Sequence, residues 1–282
     1  MKKLWITSDC TCDLSRQFLA MNKVEVMYMY IKTDKGCFRD LEEMTAVNVV
    51  EYFANDGQEI FTYGASPEEY EAFFEKMLEQ YEEIIHISFS SKIGISNRNA
   101  RKGAEKFQGK VHIFDTQSLS TGMAHCVIKA LDLVKQGKEA QEILDELEAL
   151  REKVSVSFIA ENVDTLYRAK RVSKTVKVLC SAFLIHPVLA IVDGELKLQG
   201  VEIGNFEKSV LRYVRKQLRK PSRIQKERAF VTYSTCSLRL RNKVNRQINK
   251  KCPFREIIET AASATVTSNC GANTLGIIFV RE

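Results

Sequence analysis

The sequence predicts an α/β protein built from two α/β domains, the first a mostly parallel sheet with helices on both faces, the second a mixed sheet with helices. Three observations predict it. The chain has 282 residues, above the usual size of one domain. Through its first half, short apolar runs alternate with amphipathic segments of ten or more residues, the pattern of right-handed β-α-β crossovers. Near residue 153 the style changes to hairpin signals and basic helices. That change sets the expected domains at 1–153 and 154–282.

The elements follow in order. Lys3 to Thr7 reads as a short buried strand and Val24 to Ile31 as another. Thr45 opens a helix through Tyr52 and Phe53, and Glu59 to Tyr63 is a strand. Ser66-Pro67-Glu68-Glu69 is a helix start: a capping hydroxyl, a proline in the first turn, and acids at the positive helix end. Tyr70, Phe73, Phe74, Met77 and Leu78 follow at helical spacing, which marks a core stripe. Ile84 to Phe89 is the next strand, Ser96 to Phe107 a helix, and Val111 to Phe114 a strand. A helix follows Ser118, Gly137 breaks it, and an acidic amphipathic segment spans 139–151.

In the second half Val154 to Ala160 is a strand, and 163–170 and 172–183 read as helices. Ile185 to Val192 runs into Asp193-Gly194, a hairpin turn signal, and on to Leu196 and Leu198. Asn205 caps a helix carrying Val210, Leu211, Val214 and Leu218. Ala229 to Tyr233 is a strand, Leu238 to Ile248 a basic helix, and 257–259 and 275–280 the last strands.

Ligands of parallel sheets sit beyond the carboxyl ends of the strands. Four loops at such ends are rich in hydroxyls: Thr7-Ser8-Asp9, Thr62 to Ser66, Ser88-Phe89-Ser90-Ser91 and Asp115-Thr116-Gln117-Ser118. They suggest one polar rim, although serine and threonine are also common in turns.

Composition narrows the function. No apolar run approaches the roughly 20 residues that span a bilayer, and Leu4 to Ile6 is too short for a signal-peptide core. A cytoplasmic location is the expectation. The eight cysteines, Cys10, Cys12, Cys37, Cys126, Cys180, Cys236, Cys252 and Cys270, form no CxxC pair. A zinc site and disulfides are therefore not expected. Cys10-Thr11-Cys12 reads as small residues packing beside a loop. The four histidines, His86, His112, His125 and His186, are dispersed and read as satisfied core or surface groups, with no Cys or Asp placed beside them. G-x-S-x-G, Walker and G-x-G-x-x-G motifs are absent, which argues against an enzyme. The net charge is +6, and sixteen Lys or Arg with one acid lie between 208 and 255. That skew supplies the alternative reading, a protein binding nucleic acid or another anionic surface.

Ser8-Asp9-Cys10-Thr11-Cys12-Asp13-Leu14 resembles the T-D-S-T-x-D-L opening of DegV proteins. Thr62 to Pro67 falls at that family's T-S-Q-P segment, and Ser90-Ser91-Lys92-Ile93 at its S-S-x-[LI]-S-G-T loop. Phe114 to Ser118, Lys170-Arg171-Val172-Ser173, Ile185-His186-Pro187-Val188-Leu189 and Leu275-Gly276-Ile277 match later motifs in order. The resemblance covers nearly the whole chain. It implies a carrier of a long-chain fatty acid, with the acyl chain in an apolar tunnel between two domains and no cofactor beyond that ligand; a monomer is the default expectation. It also implies an ATP-dependent fatty-acid kinase as partner, with no nucleic acid and no metal.

The resemblance implies these site residues. Thr62 stands at the carboxylate-binding threonine. Gly94 stands where the family has a second binding serine, and Ser96 or Ser91, or a helix-start N–H, would substitute for it; Ser90 is a further ligand-binding candidate. Arg171 is a candidate head-group cation. Gly204-Asn205-Phe206 replaces an R-x-R, and Asn269 replaces a histidine of H-x-G-x-G. Those losses bear on the kinase more than on lipid binding.

Overall fold

The structure, a computed structural model, describes residues 2–282 apart from 56, 58, 162, 165, 166, 168–172, 176 and 179–182. Two compact units are present: 1–43, 61–154 and 193–195 form one, and 44–60, 155–192 and 196–282 the other. In chain order the described elements begin with β1 (Lys2–Asp9), α1 (Arg16–Asn22), β2 (Glu25–Met27), β3 (Tyr30–Thr33) and β4 (Gly36–Arg39). Next come α2 (Ala46–Ala54), β5 (Phe61–Tyr63), α3 (Pro67–Leu78), β6 (Tyr81–Ser88), α4 (Ser96–Ala104), β7 (Val111–Asp115), α5 (Thr121–Lys135) and α6 (Ala140–Arg151). The last are β8 (Val154–Ala160), β9 (Ile185–Val192), β10 (Glu195–Ile203), α7 (Phe206–Gln217), β11 (Ile224–Tyr233), α8 (Leu238–Lys251), β12 (Glu256–Ala261), α9 (Ala264–Cys270) and β13 (Thr274–Arg281). The helices read at 163–170 and 172–183 fall largely outside the described residues. Among those described, no helix is long and apolar enough to cross a membrane.

The first unit carries a four-stranded sheet, β2-β1-β6-β7, with every pair parallel. Ile6, Ile84, Ile85 and Ile87 are fully buried along it, as expected of strands covered on both faces. The capping box at Ser66 forms as its sequence predicts, with Ser66 Oγ accepting from Glu69 N and Glu69 Oε2 accepting from Ser66 N. It starts α3 at the angle that buries Tyr70, Phe74 and Met77 with Ile84, Ala100 and Val111. α5 is buried nearly all round and packs on β1 and β6.

The run 24–31 is not one strand. β2 joins the parallel sheet, while β3 turns away into a small antiparallel sheet, β4-β3-β5. The break falls at Tyr28-Met29, where Met29 N donates to Cys10 Sγ and Asp40 N donates to Met29 O. An unbroken apolar alternation hides such a tertiary break. One consequence is a correction to the four-loop rim. β1, β6 and β7 end together in one parallel sheet, but the Thr62 loop leaves the antiparallel one.

The second unit carries a six-stranded mixed sheet, β10-β9-β8-β13-β11-β12. β8 and β9 are antiparallel, as are β11 and β13, while β11 and β12 are parallel. Asp193 and Gly194 both adopt positive φ, 53° and 79°, the backbone a two-residue hairpin needs. Val210, Tyr213 and Val214 from α7, Leu218 just after it, and Leu240, Val244 and Ile248 from α8 bury against Val231, Ile277 and Phe279. Tyr213 takes the core position that the sequence assigns to Leu211, which is only partly buried.

Candidate functional site

The carboxyl ends of β1 and β6 meet at Asp9, which is fully buried. Asp9 Oδ1 accepts from Tyr70 Oη (2.5 Å) and His86 Nε2 (3.2 Å). Its Oδ2 accepts from Phe89 N (2.8 Å) and Ser88 Oγ (3.3 Å). Thr7 Oγ1 lies 3.0 Å from His86 Nδ1. Burial pushes the Asp9 carboxyl up, but the hydrogen bond and charge of His86, then the Phe89 N–H and the Tyr70 hydroxyl, outweigh it. The group stays below its ordinary value. Burial, with the Asp9 charge beside it, pushes the Tyr70 hydroxyl well up. His86 thus has the aspartate neighbour that its position in the sequence does not reveal. His86, Asp9 and Ser88 are all fully buried, so this network fixes the loop 88–91.

Most of the other hydroxyls knit the strand ends together. Ser8 Oγ donates to Ile87 O, Thr116 Oγ1 donates to Ser88 O, and Ser120 Oγ donates to Asp13 Oδ2. Cys10 and Cys12 are buried free thiols. Burial raises both, Cys12 to about 12, which makes them packing groups rather than nucleophiles.

A second cluster forms where the segment after β5 meets the start of α4. Thr62 is half-buried on β5 and pairs with Ile31. Two residues on, a Cβ at Gly64 would stand 2.7 Å from Ser96 Oγ, so a side chain there would displace the Ser96 hydroxyl from its present position. Asn99 Nδ2 donates to Ala65 O and fixes the same approach. Ser96 opens α4 and is fully buried, yet its hydroxyl donates to Met29 Sδ (3.2 Å). A thioether is a weak acceptor, so a better one would readily take that proton. Ile95, at the helix cap, supplies no side-chain cap, so the first N–H groups of α4 are left for another acceptor. Asn97 Nδ2 is buried without a hydrogen-bond partner among the described residues, as is Ser118 Oγ. Neither stands out in the sequence, since an unmet buried donor is visible only in three dimensions. Phe61, Tyr63 and Ile95, which flank this cluster in the chain, are exposed apolar groups.

The remaining candidates separate. A Cβ at Gly94 would stand 3.0 Å from the Phe89 ring, so the serine of the family motif would have to push that ring aside. Ser90 is buried, and its hydroxyl donates to Gly194 O (2.7 Å) and accepts from Lys92 N. Ser91 is exposed, with its N–H on Asp115 Oδ1. Arg171 lies outside the described residues. Asn269 belongs to the second unit and donates Nδ2 to Thr265 O, one turn back in α9. Asn205, at the middle position of the family's R-x-R, caps α7, accepting from Lys208 N. His186 ties Glu161 O and Gly204 O through its two ring nitrogens. Ser90→Ala is expected to cost about 1 kcal/mol of stability through the unmet Gly194 carbonyl. Ligand affinity should be unchanged; an affinity loss in that variant would put Ser90 in the site.

A family model described as "Uncharacterised protein, DegV family" matches residues 3–282. A DegV domain-containing protein of Staphylococcus aureus (strain COL) is 25% identical over 218 residues, 77% of each chain. A solved DegV family protein of Thermus thermophilus, described as fatty acid binding, superposes with a TM-score of 0.88 at 23% identity, covering 99% of this chain and 100% of that one. The Streptococcus pneumoniae Fatty Acid Kinase (Fak) B3 protein, solved loaded with linoleic acid, gives 0.85 at 17% identity, covering 99% and 100%.

Proposed function

This chain belongs to the DegV family, and on that premise we propose that it binds a long-chain fatty acid and carries it, without being an enzyme itself. One observation carries the reading: a buried hydroxyl, Ser96, shared between the Met29 thioether and the Tyr70 hydroxyl, opens an uncapped helix start packed against the Thr62 segment. A carboxylate is the ligand group that such donors suit, since dry and unpaired it would be costly. Thr62 and Ser96 donate to it, the α4 N–H groups favour its charge, and Ser91 serves as an outer polar group. Ser96 and the helix start replace the serine lost at Gly94. Apolar burial of the tail dominates affinity, at roughly 0.8 kcal/mol per buried CH₂.

The names of the Thermus and Streptococcus proteins support the ligand class, and the latter supports presentation of the bound acid to a fatty-acid kinase. Fewer features of this chain support the kinase, because Gly204 and Phe206 stand at the two arginine positions of the R-x-R, and Asn269, used within its own helix, stands at the histidine position. Mass spectrometry of the organic extract of the purified protein is expected to find a long-chain fatty acid near one per chain. An extract empty of acyl lipid, from protein that also fails to take up fatty acid after delipidation, would end the proposal. Incubation with a panel of acyl esters is expected to give no hydrolysis.

A further inference from the structure

The basic stretch 208–255 is neutralised in part. Six of its cations meet carboxylates: Arg212 and Lys216 share Glu202, Arg228 meets Glu256, Arg241 meets Glu259, Lys243 meets Glu207 and Arg255 meets Glu227. Arg219, Lys220 and Arg223 have no ion-pair partner among the described residues. They gather instead, with Lys216 and Arg281, around a half-open cavity of about 570 Å³ within the second unit.

The fold builds this cavity. One wall is β10 from Gln199 to Glu202, and the other is the last turn of α7 with the segment after it. Gln217 Nε2 donates to Gln199 Oε1 (2.8 Å) and joins the walls. Arg219 N donates to Lys216 O and Arg223 N to Lys220 O, and these two tight turns about Pro221 bring three cations to one mouth. Arg281 is held by Ser155 Oγ (3.0 Å) and lies over the Phe279 ring. The single lining carboxylate, Glu202, is held below its ordinary range. Burial raises it, but Lys216 and Arg212 outweigh that. It therefore anchors a wall, and the other charged residues of the lining are all cations.

The lining also limits what fits. Its aromatic ring, Tyr213, is buried with its hydroxyl donating to Ser157 O and accepting from Ile277 N, so no face is offered to a base. An extended nucleic acid needs a track of cations or stacking rings, whereas these converge on one concavity. We propose that this cavity is a second ligand site, taking a compact anion with two or more phosphoryl groups, either free in solution or as the head group of an anionic lipid. It rests on the second unit alone.

The test titrates the full-length protein at low ionic strength with inorganic tripolyphosphate, orthophosphate and succinate. In parallel, the protein is sedimented with phosphatidylcholine vesicles with and without phosphatidylinositol bisphosphate. Tripolyphosphate is expected to bind at least about tenfold more tightly than orthophosphate or succinate, and more weakly as salt rises. The double variant Arg219→Gln, Arg223→Gln should lose about tenfold or more, the loss expected from removing charge-assisted bonds. Both side chains are exposed, so thermal unfolding and fatty-acid uptake should stay as in the wild type. Binding only to the bisphosphate vesicles, lost in the double variant, identifies the lipid head group as the source. Absence of binding in both arms, succinate binding as tight as tripolyphosphate, or affinity that survives the double variant overturns the proposal.

Discussion

Replacing Asp9 with alanine is expected to cost about 3–5 kcal/mol of folding stability at neutral pH, the range found when one member of a buried charged network is removed. The substitution leaves the Tyr70 hydroxyl, the Phe89 N–H, the Ser88 hydroxyl and the His86 Nε2 without their acceptor, and each unmet buried donor carries its own desolvation cost. The pH dependence has a definite sign. Asp9 titrates below its ordinary value when folded, so its contribution is fully present above the ordinary carboxylate value of about 3.9. It is lost as pH falls through the lowered folded value. The stability gap between wild type and Asp9→Ala should therefore be constant from neutral pH down to mildly acid pH and narrow on further acidification. Urea unfolding at a series of pH values measures this. A neutral-pH loss below about 1 kcal/mol, the worth of one ordinary hydrogen bond, would mean that the network is not what holds the strand ends together. Asn in place of Asp keeps the shape but turns an amide N–H₂ towards donors, so it should recover only part of the loss.

That network also shows where sequence reading reaches its limit. Local signals survive folding. The capping box at Ser66 and Glu69 and the hairpin turn at Asp193-Gly194 are each written in a few adjacent residues, and both form. The alternation of strands and helices likewise yields the parallel sheet. Asp9, by contrast, finds its partners 61 to 80 residues away, so nothing near His86 in the chain announces an aspartate. Hydroxyls mislead for a related reason. A serine at a strand end can serve a ligand or the neighbouring strand, and Ser8, Ser90 and Thr116 serve protein carbonyls. The basic stretch is ambiguous in the same way, because Glu202, Glu207, Glu256 and Glu259, which neutralise part of it, lie outside the window in which its charge is counted. For the proposed head-group cluster, the motif marks Thr62 and Gly94. The space that Phe89 takes beside Gly94, and the pressing of Ser96 against Gly64, are packing facts.

Shortening the fatty acid from about sixteen to about twelve carbons is expected to weaken binding by about 3 kcal/mol, some two hundredfold, at roughly 0.8 kcal/mol per buried CH₂. Thr62→Val is expected to cost about 1–3 kcal/mol, the penalty of a polar group left unmet on desolvation. Valine suits the test because it keeps the branched shape that fits a strand and removes only the hydroxyl. The two effects act on opposite ends of the ligand, so they should add, as independent perturbations do. Head-group chemistry is read from a third series. With a fatty acid methyl ester, which carries no charge, the charge-assisted part of the Thr62 and Ser96 bonds disappears, and Thr62→Val should then cost less than it does with the acid. Fluorescence competition on delipidated protein measures all three. Affinity indifferent to chain length would remove the apolar tail from the explanation. Equal losses for acid and ester would assign Thr62 to the fit of the pocket and leave the carboxylate to Ser96 and the start of α4.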